Sequence, residues 1–165
     1  MTTLPDKLQA VFSRDCLAED YARAFFDYWR EACGGAPMPP VAALDPMRLP
    51  KACLPYMSVL EVEAGTQRLR SRLVGTALVE QLGHNLTGRY LDETPVAGPQ
   101  VERLMWCVRE QRPYLSEDDT TFAPNDYKRY QVLIVPFGDP GAGVQRVVGV
   151  FCFLEGVVSQ KSWTT

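Results

Sequence analysis

The spacing of hydrophobic positions changes twice along this chain. Over 15–33 it is helical. Tyr21, Phe25, Tyr28 and Ala32 fall on one stripe, and Phe26, Trp29 and Cys33 on the adjoining one. Asp15 or Ser13 offers an N-cap, Glu19 and Asp20 put acids in the first turn, and Gly34-Gly35 supplies the stop. The apolar arc is wider than a surface helix needs. Either all of it packs on its own domain, or one stripe packs there and the other on a second subunit. Residues 36–55 carry Pro37, Pro39, Pro40, Pro46, Pro50 and Pro55 and read as a stiff connector. Within it, Asp45-Pro46 is an N-cap followed by a proline at the first helical position, which predicts a short helical stretch over 46–52.

From residue 56 the period becomes two. Tyr56, Ser58, Leu60 and Val62 alternate with Met57, Val59, Glu61 and Glu63; after a turn at Gly65, Leu69, Ser71 and Leu73 alternate with Arg68, Arg70 and Arg72. A turn centred on Gly65-Thr66 sets Glu63 opposite Arg68 and Glu61 opposite Arg70. A solvated charge ladder thus accounts for the three arginines without an anionic ligand. A short helix is predicted over 76–82 ending at Gly83, a further turn over 86–91, and a better helix over 99–112 with Val101, Leu104, Met105 and Val108 buried. The rest is strand-like: 113–118, then 127–137, a glycine-rich loop at 138–143, and 144–154. The last two form an antiparallel hairpin that is apolar on both faces, with the helix over 15–33 available to cover the far face. The layout is α+β, with one antiparallel sheet and its helices grouped between the second and third strands. Residues 1–14 read as a loose lead-in, 15–155 as the domain and 156–165 as a polar tail with Trp163 its only large apolar group.

Composition narrows the function. A chain of 165 residues, 46% hydrophobic and 22% charged, fits one globular domain. A net charge of −3 argues against binding along a nucleic-acid backbone. No apolar run is long enough to span a membrane, and the first residues lack a signal-peptide core, so the expected location is cytoplasmic. Cys16, Cys33, Cys53, Cys107 and Cys152 are widely spaced with no CxxC pair, the usage of a reducing compartment. A single histidine, His84, excludes histidine-rich metal centres and HExxH motifs. Its plain reading is a partly exposed turn residue.

The order of these elements resembles a PAS domain, and in particular a bacterial PAS-like family seen mainly in alphaproteobacteria. The matching residues are Tyr28-Trp29, Cys33-Gly34-Gly35, Met38-Pro39, Leu44-Asp45-Pro46, the strand 70–73, Val74-Gly75-Thr76, Gly83, Leu86-Thr87-Gly88-Arg89 and Leu91-Asp92-Glu93. The segments 130–136 and Val147-Val148-Gly149 fit its last two strands, so the likeness spans about residues 20–155. The resemblance implies a five-stranded antiparallel sheet in the order 2-1-5-4-3, helices enclosing a pocket on one face, and an N-terminal flanking helix. It also implies a sensory and interaction module. The expected partners are a second copy, docked through Phe25, Phe26 and Trp29, and an unidentified signalling protein. A small molecule in the pocket would meet Ser71, Leu73, Thr76, Trp106 and Tyr130, although those inward residues can equally fill the space themselves. The light-oxygen-voltage relatives carry a flavin-reactive cysteine where this chain has Gly88-Arg89-Tyr90-Leu91, which argues against flavin-adduct chemistry. The haem-binding relatives place a histidine on the longer helix, and 99–112 has none. The competing reading is a small α+β enzyme of the hot-dog thioesterase type with Glu102 or Asp92 as base. It fits less well, because two strands precede the helices and carboxylates at helix starts ordinarily serve the helix dipole.

Overall fold

The computed structural model describes residues 3–83, 85–94, 98–119 and 129–154. His84, Trp163 and the tail lie outside them. One antiparallel sheet is formed by β1 (Leu8–Gln9), β2 (Met57–Val62), β3 (Leu69–Val74), β4 (Tyr114–Asp119), β5 (Arg129–Asp139) and β6 (Gly143–Phe153). Three α-helices accompany it: α1 (Asp20–Cys33), α2 (Thr76–Leu82) and α3 (Pro99–Glu110). The strand order is β1-β4-β5-β6-β2-β3. Without β1 this is the expected 2-1-5-4-3 arrangement.

The sixth strand corrects the reading of the first residues as a loose lead-in. Leu8 pairs with Ser116 and Gln9 with Leu115, so β1 covers the outer edge of β4. Leu8 is buried. Ser116 Oγ donates to the Lys7 carbonyl at 2.7 Å, and Lys7 Nζ lies 2.8 Å from Asp118 Oδ1. An edge that would otherwise expose unpaired backbone groups is closed by this short strap.

Helix α1 lies on one face of the sheet. It starts at Asp20 rather than residue 15, because Arg14–Cys16 form a separate 3-10 turn; Glu19 holds the N-cap position with no side-chain cap bond. Gln131, buried in β5, fastens the entry instead. Its Oε1 accepts from the Ala18 N–H at 2.8 Å and its Nε2 donates to the Cys16 carbonyl at 2.9 Å. Trp29 Nε1 donates to the Pro136 carbonyl at 2.9 Å, and Tyr21 Oη to the Phe151 carbonyl at 2.7 Å. Phe25, Phe26 and Trp29 are all buried within the single chain. These three side chains, expected to meet a second copy, pack in the core between α1 and the sheet. Each buried ring contributes roughly 1.5–3 kcal/mol to that packing. The positions of α1 left exposed are polar or small, among them Ala24, Asp27, Arg30 and Glu31.

The proline-rich connector packs down, burying Met38, Leu49 and Cys53. Asp45 caps a single turn through its carboxylate, accepting from the Met47 N–H at 3.0 Å, and a 3-10 helix follows over Lys51–Tyr56. The β2–β3 hairpin has the expected register, with Glu61 opposite Arg70, Val62 opposite Leu69, and the Glu63 N–H donating to the Arg68 carbonyl at 2.8 Å. Farther along, Leu60 pairs with Ser71 but Val59 pairs with Leu73, so Arg72 is an extra, bulged residue. From that point the alternation of β3 inverts.

Candidate functional site: a cavity between sheet and helices

The other face of the sheet encloses a cavity of about 90 Å³, partly open to solvent. The period of two sends alternate residues into it: Ser58 and Leu60 from β2, Ser71 and Val74 from β3, Tyr130, Val132 and Ile134 from β5, and Gly149, Phe151 and Phe153 from β6. The helical side supplies Leu78, Gln81 and Leu82 from α2 and Gln100, Arg103 and Leu104 from α3. Tyr114 of β4, Leu86 of the loop after α2 and Leu91 of a 3-10 turn complete the wall.

Two glycines make this geometry possible. Gly75 begins α2 pressed against the backbone of Leu54 and Pro55, where a Cβ would collide, and this seats α2 over the β2–β3 end. At Gly149 a Cβ would stand 2.9 Å from Ile134 Cδ1 and 3.3 Å from Phe151 Cε1, so only glycine leaves both side chains where they line the cavity.

Of the five residues expected to meet a ligand, the structure brings Ser71 and Tyr130 to the cavity wall. Leu73 is 46% exposed, because the bulge at Arg72 turns it outward and sends Val74 inward in its place. Thr76 is exposed at the first position of α2. Trp106 is buried in the core, edge-on to Tyr114 with centroids 6.1 Å apart, and does not reach the cavity. Helix α3 is rotated from the expected stripe. Arg103, Leu104, Trp106, Cys107 and Val108 are its buried residues, while Val101 and Met105 are only part-buried.

Arg103 is the charged group in the cavity wall, and it is 2% exposed. One terminal nitrogen lies 2.9 Å from Asp118 Oδ2 and the other donates to the Asp6 carbonyl at 3.1 Å. Its charge is thus matched inside the chain, and the guanidinium joins the cavity wall to the β1 strap. Burial pulls the Asp118 carboxyl upward, but hydrogen bonds from Lys7, the Asp119 N–H and Arg103 outweigh it and hold the group below its ordinary range. Burial raises the Tyr114 and Tyr130 phenols, so both stay protonated at neutral pH.

Gln81 had no signal in the composition. Its Oε1 is shielded from solvent and meets no hydrogen-bond donor among the described residues. The only hint was its place three residues after Leu78 and beside Leu82, a polar group on an apolar stripe.

The acidic candidates lie elsewhere. Asp92 is held by Arg68, whose nitrogens approach its carboxylate at 2.8 and 3.1 Å, and Glu102 is exposed at the first turn of α3. Neither lines the cavity. The hairpin arginines find partners within the chain. Arg68 also reaches Glu93 and stacks 3.8 Å over the Tyr90 ring, Arg72 lies 3.8 Å from Glu61, and Arg70 donates to the Gly88 carbonyl at 3.3 Å. The ladder's backbone register is as expected, but its ion pairs run to the loop and along the diagonal. Among the described residues, no group of three or more His, Cys, Asp or Glu side chains is placed to hold a metal ion, and all five cysteines are free thiols.

The fold is thus a single antiparallel sheet with helices enclosing a small, mostly apolar cavity on one face. The sequence matches the PAS domain family over residues 18–152, and the chain belongs to that family, a family of sensory signalling modules. Among solved structures it is similar to the PAS domain of Bordetella pertussis BvgS, at 17% identity and a TM-score of 0.46, covering 66% of this chain and 82% of that one. It is also similar to a fungal LOV domain photoreceptor, at 14% identity and a TM-score of 0.42, covering 59% of this chain and 73% of that one. No curated protein matches the sequence significantly.

Proposed function

We propose that this PAS domain is a non-enzymatic sensory module of the cytoplasm that takes a small molecule into its cavity and passes the change to another protein by contact. The observation that carries this reading is the cavity itself. Its wall is drawn from β2 to β6 on one side and from α2 and α3 on the other, so an occupant touches both layers at once. Occupancy then biases how the helices sit on the sheet, which is how a ligand with unequal affinity for two arrangements becomes a signal. Arg103 supports a route outward, since it stands in the wall and holds the β1 strap.

The non-enzymatic part rests on chemistry. Among the described residues, no carboxylate, histidine, cysteine or lysine lines the cavity, and none of those groups stands beside the Ser58 and Ser71 hydroxyls in its wall. Free thiols at all five cysteines suit a reducing compartment, and no helix of the described residues is long and apolar enough to cross a membrane. The acidic balance and the internally paired arginines favour a protein partner over nucleic acid.

Native mass spectrometry of the protein purified from its own host tests the reading. The expected spectrum holds a small-molecule adduct that is released on activation, together with a retained partner protein. A bare chain, and nothing else, at every activation energy would overturn it.

A further inference from the structure

Resting on that reading of the cavity as a ligand site, we infer that its occupant is a small neutral molecule, apolar over most of its surface, which donates one hydrogen bond to Gln81 Oε1. Most of the wall is aliphatic or aromatic, which sets the apolar character. The cavity measures about 90 Å³. A sealed apolar cavity of roughly 150 Å³ holds benzene, so in this smaller one a single ring or a short chain must extend into the partly open mouth.

Charge is decided by the wall. A cationic ligand would find no carboxylate among the described residues of the wall. An anionic one would find, among the described residues, only Arg103, whose two terminal nitrogens are already engaged by Asp118 and the Asp6 carbonyl. The Arg103 charge is already balanced by Asp118, so an anion would give up its hydration without gaining an uncompensated cation. A neutral molecule meets neither penalty.

The hydrogen bond is decided by Gln81. A buried amide oxygen with no donor is a deficit that native structures rarely leave open, and this one sits at the wall of an open space. Water or a ligand N–H or O–H must meet it. The serine hydroxyls at 58 and 71 can donate or accept and so impose no polarity, whereas a carbonyl oxygen accepts only.

The test is a ¹⁵N–¹H NMR titration of the full chain with three probes of similar size: phenol, toluene and benzoate. Phenol and toluene differ by a donor, and benzoate adds a charge. The quantity read is the ratio of phenol to toluene affinity in the wild type divided by the same ratio in Gln81→Leu, which cancels the hydration of the free probes. It is expected to be between about fivefold and tenfold, the worth of one net hydrogen bond. Gln81→Met, closer in shape, is expected to give the same result and covers the case in which the leucine variant folds poorly. A ratio that does not change overturns the donor assignment and leaves the cavity reading standing. Benzoate binding more tightly than phenol overturns neutrality. If no probe shifts the amides of Ser71, Gly149 or Ile134, both the inference and the cavity reading fail, and the two failures are thereby told apart.

Discussion

Replacing Arg103 by alanine disturbs the point where the cavity wall meets the N-terminal strap. The Arg103 side chain is 3% exposed and that of Asp118 is 13% exposed, with 2.9 Å between them. Breaking such a buried pair by removing one partner ordinarily costs about 3–5 kcal/mol, because a charge is left uncompensated. Here Asp118 keeps Lys7 at 2.8 Å and the Asp119 N–H at 2.7 Å, so the lower end applies. The Asp6 carbonyl also loses its donor. We expect a loss of about 3 kcal/mol. Arg103→Met, which keeps the apolar stem, separates the lost charge from lost packing. The assay is urea denaturation of the single variants, of Asp118→Asn and of the double variant, with hydrogen exchange as a local readout. Coupling between the two residues is expected at about 1–3 kcal/mol. Exchange over residues 6–10 should rise more than over β5. The pH dependence follows from the sign of the Asp118 shift. Its folded carboxyl lies below the ordinary aspartate range, so its contribution is full above the unfolded pKa and is lost as pH falls through the folded one. The wild type should therefore lose stability more steeply below about pH 4 than Arg103→Ala does. A coupling under about 0.5 kcal/mol, or unchanged protection of the strap, would refute the reasoning.

Three further outcomes are expected. Trp29→Ala should lose about 3–5 kcal/mol in denaturant titrations while leaving the mass by light scattering unchanged, since its ring is inside one chain and its indole bonds the Pro136 carbonyl; a change in mass at retained fold would return Trp29 to an interface. Cys16 is exposed and should react fast with a thiol reagent, whereas Cys53, Cys107 and Cys152 are buried, with the Cys53 and Cys152 thiols pushed up to about 11, and should react only on unfolding; rapid labelling of Cys107 would contradict the core described. Gly149→Val should push Ile134 into the cavity, lower stability by about 1–3 kcal/mol and abolish phenol shifts; undiminished phenol binding would place the ligand elsewhere.

What could be read in the sequence follows the range of the forces involved. The β5–β6 hairpin and the Glu61–Arg70 register were legible because a glycine turn and a strict alternation are local signals. The same alternation misled at Leu73. One bulged residue, Arg72, inverts the faces beyond it, and nothing in LRSRLV marks which arginine is extra. Strand β1 was illegible because two residues show no period; it exists through Lys7, Asp118 and Ser116, over a hundred positions apart in the chain. The breadth of the apolar arc on α1 was real, but breadth alone does not say whether a sheet or a second chain covers it. Burial of Phe25 and Phe26 within one chain puts a residue of each stripe in the core. Ser71 and Tyr130, expected in the pocket from the resemblance, line the cavity, while Gln81 and Arg103 were missed because a polar residue on an apolar stripe counts against burial until its partner, or its lack of one, is seen.

The central claim is that the space between sheet and helices is an unfilled site and not a seam closed by its own side chains. Diffraction from a crystal pressurised with xenon tests this most directly, because xenon enters apolar cavities without needing a polar contact. The account expects a xenon peak in van der Waals contact with Leu78, Leu104, Val132 and Ile134. Continuous side-chain density across that space, with xenon only on the surface, would contradict it.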